Sequence, residues 1–125
     1  MPKVSKHTAS QVVSAGPMES HSEQLGDYVV GFSTFHEDGD ATPLFKGLPD
    51  DRCQAAHWGY IFKGRVTFKY ADHDEVYEAG DAYYAPPGHT PAITAGTEII
   101  EFSPTDEYGR TMEVIGRNLA AIQGA

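Results

Sequence analysis

Cys53 is the only cysteine in the chain, so an intramolecular disulfide and a structural zinc site of the Cys-rich kind are both excluded. Positive charge is also scarce. Nine Lys and Arg stand against eighteen Asp and Glu, a formal net charge of −9 and a pI of about 4.9. Such a surface repels phosphate backbones and anionic headgroups, so neither nucleic acid nor membrane is an expected partner. No apolar run approaches the ~20 residues that a membrane-spanning helix needs. Nothing in residues 1–30 resembles the apolar core of a signal peptide, and the expected location is the cytoplasm. Also missing are a Gly-x-Ser-x-Gly elbow, a phosphate-binding Gly-rich loop and a dinucleotide fingerprint, so no nucleotide cofactor is expected.

What the chain has in quantity is turn formers, with 13 Gly and 8 Pro in 125 residues. That length makes one domain, able to bury about two-thirds of its unfolded surface. Residues 1–26 are polar and read as an N-terminal arm, with a short strand about Gln11–Ser14. Tyr28–Phe35, rich in β-branched and aromatic residues, reads as a strand. A long loop over 36–52 follows, punctuated by Asp-Gly, Thr-Pro, Lys-Gly and Leu-Pro pairs. From Cys53 the strands come quickly: Cys53–Lys63, Arg65–Tyr70, Glu75–Glu78, Ala82–Ala85, Ala92–Thr94 and Thr97–Phe102. Short strands at this spacing predict an antiparallel sandwich or barrel.

The period then changes. Ser103-Pro104 reads as N-cap and first helical residue, with Asp106 and Glu107 in the first turn, where the helix dipole favours them. Tyr108, Met112, Ile115, Leu119 and Ile122 form one apolar stripe on a helix running to about Gln123. The stripe must bury itself, against its own barrel or against a partner subunit.

The stretch from Cys53 to Pro91 reads CQAAHWGYIFKG, RVTFKYADHDEVYEAG and DAYYAPPGHTP. This layout resembles the two motifs of the cupin family, small β-barrels that often hold a metal in the barrel mouth. The first motif has two His one residue apart, then a Glu, then a glycine seven residues on. Gly64 fits that glycine, His57 falls on the Glu position, and Asp51 and Cys53 fall on the two His positions. The second motif has Gly, five residues, Pro-x-Gly, two residues and a His. Gly80, Pro86 and Gly88 fit, while Pro91 stands where the His belongs and His89 comes two residues early. The resemblance covers about 51–104, and none of the four usual ligand positions keeps its usual residue.

The resemblance implies an all-β fold: a single antiparallel cupin-type barrel (jelly-roll) over 27–104, preceded by the arm and followed by one α-helix over 105–125. It also implies a substitute metal site. Residues 51, 53 and 57 share parity and leave the same face of an extended strand. If the Glu position points inward, as in the family, His57 and Cys53 do too. His89 can join them. Cys, His and His suit zinc or another divalent transition metal (iron, nickel or manganese), with Asp51 as a fourth donor and His36 and Glu101 as further candidates.

Blander readings stand beside these. His57 can be an interior histidine held by hydrogen bonds, Cys53 a small buried hydrophobe, and His89 a turn residue at the rim. Along a straight strand Cys53 and His57 sit ~13 Å apart, which argues against a nucleophile–base pair and troubles a shared metal. In the family the corresponding residues converge, which implies a bend at Gln54–Ala56. Trp58, of opposite parity to His57, is expected to face outward, against the helix or a subunit interface.

Three functions are compatible with these residues: a metal-dependent enzyme acting on a small organic molecule (of oxygenase or isomerase type), a metal-free binder of a small molecule, and a structural dimer with a filled interior. A homodimer is the expected assembly.

Overall fold

The computed structural model describes residues 3–15 and 18–123. Ten strands run in order: β1 (Gln11–Ala15), β2 (Met18–Leu25), β3 (Tyr28–Phe35), β4 (Gly39–Asp40), β5 (His57–Lys63), β6 (Arg65–Lys69), β7 (Asp74–Glu78), β8 (Ala82–Ala85), β9 (Thr90–Ile93) and β10 (Thr97–Pro104). One helix, α1 (Thr105–Gln123), closes the chain. The strands pair antiparallel in two sheets, one ordered β1-β2-β3-β10-β5-β8 and the other β4-β9-β6-β7. Ile61, Tyr83, Ala85 and Ile99 from the first sheet pack against Val66 and Phe68 from the second, so the core lies between the two inner faces. None of the described helices is long and apolar enough to cross a membrane.

The turn from β5 to β6 explains one motif glycine. Gly64 has φ +84°, a conformation that side chains disfavour. A Cβ there would also collide with Thr97, itself fully buried beneath the turn.

Two segments differ from expectation. β2, over Met18–Leu25, stands where only an arm is expected, and it lies in register on β3 from Met18↔Phe35 to Leu25↔Tyr28, with β1 paired to its other edge. MESHSEQL has no apolar alternation, because this part of the sheet is held by its backbone ladder and by hydroxyl contacts such as Ser33 Oγ to Ser20 Oγ at 3.2 Å. The helix begins at Thr105, and Ser103-Pro104 completes β10 instead of capping it. Ser103 keeps the inward parity of Thr97, Ile99 and Glu101, and the barrel uses its hydroxyl elsewhere.

The 36–52 loop contains β4 and two 3-10 turns, Thr42–Phe45 and Pro49–Asp51. Phe45 packs on Cys53, Ala55 and Ile115, with Leu44, Leu48, Met112 and Leu119 around them. Asn118 Nδ2 ties the loop to the helix by donating to the carbonyls of Leu44 (2.7 Å) and Lys46 (2.9 Å). The apolar stripe of α1 is therefore buried within its own chain as far as Leu119, whereas Ile122 is exposed.

Candidate functional site

The second motif and the segment before β5 meet by backbone hydrogen bonds. Cys53 N–H donates to His89 O (2.8 Å) and Gly88 N–H donates to Cys53 O (2.7 Å), so the Pro-Pro-Gly-His turn is pinned to Cys53. Gln54–Ala56 belong to no strand, and the small side chains of Ala55 and Ala56 are buried. The two residues do not share one straight strand, and their side chains meet across this segment: Cys53 Sγ lies 3.6 Å from His57 Nε2. The pairing that strand geometry argued against is in place.

His89 completes the cluster. Its ring centroid is 5.0 Å from that of His57, and one donor atom from each of Cys53, His57 and His89 lies within 4.8 Å of the others. All three residues are buried. The Nδ1 of each imidazole has a partner: His57 Nδ1 meets Ser103 Oγ at 2.6 Å, and His89 Nδ1–H donates to Pro86 O at 2.8 Å. Donation to the Pro86 carbonyl from Nδ1 turns the Nε2 of His89 toward the cluster. With Ser103 Oγ accepting from Nδ1, the Nε2 of His57 would be free to ligate once a metal displaces its proton, the arrangement typical of metal-ligating histidines. Tetrahedral zinc with bonds of about 2.3 Å to sulfur and 2.0–2.1 Å to nitrogen holds S and N about 3.5 Å apart. The Cys53–His57 separation of 3.6 Å matches that span. The donor set fits a late first-row divalent ion.

Burial opposes a charged thiolate at Cys53, but hydrogen bonds and charge from His57 and His89 outweigh it and lower the thiol to about 6. Burial likewise opposes an imidazolium at His57, yet Glu101 and Cys53 raise it to about 9. Without a metal both shifts favour a thiolate–imidazolium pair.

Two expected contributors stand elsewhere. Asp51 is exposed, and its carboxylate accepts from Gly47 N–H at 2.9 Å, stabilising the turn before Cys53. His36 is 61% exposed, 3.9 Å from Glu19. Pro91, at the usual histidine position, forms part of the cavity wall. Glu101 faces the same cavity and accepts a hydrogen bond from Tyr83 Oη at 2.5 Å. The contact of Ser103 with His57 and the place of Gly59 beneath Tyr83 escaped the sequence reading. The signal was parity, since 57, 59, 61 and 97, 99, 101, 103 alternate onto the inner face.

The cluster borders a cavity of about 160 Å³ whose wall is mostly apolar. Phe45 from the loop and Tyr108, Thr111 and Ile115 from α1 border it on one side, and Phe68 from β6 on another. Trp58 faces away from it, 41% exposed between Tyr28 and Tyr84.

No protein-family model matches the chain, and no curated protein matches it in sequence. Solved structures do match. A protein of unknown function from Rhizobium leguminosarum bv. viciae 3841 aligns with TM-score 0.59 at 18% identity, over 83% of this chain and 96% of that one. The polyketide cyclase RemF from Streptomyces resistomycificus aligns with TM-score 0.57 at 14% identity, over 83% of this chain and 79% of its own. An RmlC-like cupin from Shewanella frigidimarina NCIMB 400 aligns with TM-score 0.51 at 17% identity, over 75% and 83%. The chain has the cupin fold, a fold whose members here include an enzyme.

Proposed function

We propose that the protein holds a divalent transition metal through Cys53, His57 and His89 and acts on a small organic molecule in the adjoining cavity. The convergence of three buried donor atoms within 4.8 Å supports this reading. A barrel that only needed filling has no use for two imidazoles and a thiol converging in this way. When bound, such an ion supplies Lewis-acid polarisation of an oxygen or an activated water. The chain's own part is to orient the two imidazoles through Ser103 and Pro86, and to exclude bulk water with the loop and α1. Zinc, iron, nickel and manganese are all compatible with the reading, as are a cytoplasmic setting that keeps Cys53 reduced and a homodimeric assembly.

Elemental mass spectrometry on protein purified without a His-tag or chelator tests it. Near-stoichiometric metal that disappears in His57→Ala is expected. Absence of metal, even after reconstitution with each ion, overturns it.

A second reading follows from the 3.6 Å Cys53–His57 contact, which also serves as a self-sufficient thiolate–imidazolium pair. The protein is then a metal-free small-molecule binder, and the same measurement separates the two.

A further inference from the structure

Gly59 pairs with Tyr83 of β8 on one side and Glu101 of β10 on the other, and all three share the inward parity of His57 and Ile61. A Cβ on Gly59 would stand 2.5 Å from Cζ of Tyr83 and 2.6 Å from its hydroxyl oxygen. The tyrosine ring thus occupies the space of the missing side chain. From there its hydroxyl crosses β5 to donate to Glu101 Oε2 at 2.5 Å. Among the described residues no donor pairs with Oε1. Burial first, and then the charge of Glu101, push the Tyr83 phenol far above its ordinary value, so it remains a donor.

A carboxylate facing an apolar cavity is costly unless it receives more than one hydrogen bond. Glu101 has one from the protein and faces the same space as Cys53, His57 and His89. Its cross-strand partner Gly59 lies two residues from His57, a repeat of about 7 Å along a strand. The cavity measures about 160 Å³ and is lined in the main by residues such as Phe35, Val66, Phe68 and Ile99. An apolar protein cavity of about 150 Å³ accommodates benzene.

We propose that the cavity takes an apolar molecule of single-ring size bearing one O–H or N–H donor, and that Glu101, positioned by Tyr83 across Gly59, accepts that donor. This names the ligand class for the cavity of the preceding section and rests on that cavity, not on its metal. The carboxylate also discriminates by charge, admitting a neutral or cationic head and repelling an anionic one.

The test uses chelator-treated, full-length protein and three probes of one shape: benzylamine, benzyl alcohol and benzoate, with binding followed by titration calorimetry or ligand-observed NMR. Wild type is expected to bind benzylamine at least about tenfold more tightly than benzoate, the scale of a charge-assisted hydrogen bond, with benzyl alcohol between them. Glu101→Gln keeps an acceptor for Tyr83 and is expected to bring that ratio close to unity. Tyr83→Phe, which releases the carboxylate, is expected to narrow it. Failure of all three probes to bind overturns the inference, as does a ratio unchanged in both variants. Because the probes are offered to metal-free protein, a chain that binds no metal leaves the result standing, and metal binding does not rescue a failed one.

Discussion

The Ser103 hydroxyl lies 2.6 Å from Nδ1 of His57, joining the last inward residue of β10 to the first of β5. The contact fixes the ring so that Nε2 faces Cys53. Ser103→Ala is expected to weaken metal binding by about 10–100-fold, the cost of losing an outer partner of a ligating histidine. Competition with a chromophoric chelator reads the change. An unaltered affinity would mean that packing alone sets the ring.

Gly59 and Gly116 are expected to respond to alanine with opposite signs. At Gly59 the added Cβ meets Tyr83 at 2.5 Å and the Ile100 carbonyl oxygen at 2.7 Å, and the backbone atom cannot yield. Gly59→Ala should destabilise by about 1–3 kcal/mol, as overpacking does. At Gly116, within α1, nothing lies within 4 Å of the new Cβ. Gly116→Ala should stabilise by about 0.5–1 kcal/mol. Urea denaturation of both variants measures the pair, and equal shifts in one direction would contradict it.

The Cys53–His57 pair makes a prediction about pH for the metal-free protein. Cys53, lowered to about 6, contributes stability that is complete above the ordinary thiol pKa and is lost as pH falls through 6. His57, raised to about 9, contributes stability that is complete below the ordinary imidazole value of 6.5 and is lost as pH rises through 9. Between those limits the two slopes cancel. Wild-type denaturation midpoints should therefore be nearly flat from pH 6.5 to 9. Cys53→Ser removes the opposing slope together with the Cys53 share of what raises His57, so its midpoints should fall as pH rises through this window to the extent that Glu101 keeps the imidazole charged. A flat profile in the variant would show that His57 owes its raised value to Cys53 and not to Glu101.

The outer face of β5 carries Trp58, Tyr60 and Phe62, flanked by Tyr28, Tyr84 and Phe102, each 39–51% exposed. Contiguous exposed aromatic surface of this kind marks an interaction site, and a second copy of the chain is the proposed occupant. Sedimentation analysis is expected to give a dimer for wild type and a monomer for Trp58→Glu, with metal stoichiometry unchanged. A monomeric wild type would reject the proposal.

The strands from β6 to β8 were legible almost to the residue, because turn pairs bound short β-branched and aromatic runs. β1 is legible as a short strand at Gln11–Ser14, whereas β2 is not, since a strand held mainly by its ladder to β3 needs no apolar alternation. Ser103 was misread because Ser-Pro before two acidic residues is a sound local helix signal, and only the β10 parity shows that its hydroxyl belongs to His57. The site itself was half legible. Cys53, His57 and His89 stand out by type and by their place in the motifs. Cys53 and His89 are brought together by backbone hydrogen bonds between Cys53 and the distant Gly88–His89 turn, which no local pattern records. Glu101 was legible as a candidate donor, but its contact with Tyr83 was hidden for a similar reason, because it passes over a glycine that looks ordinary in the sequence.

The claim that Cys53, His57 and His89 together hold a metal is tested most directly by titrating metal-free protein with Co²⁺ and recording its absorption spectrum. The account predicts saturation at one ion per chain, a thiolate-to-metal charge-transfer band that is absent in Cys53→Ser, and ligand-field bands that collapse in His57→Ala and in His89→Ala. Saturable binding with no thiolate band, or a spectrum unchanged by all three substitutions, would contradict it.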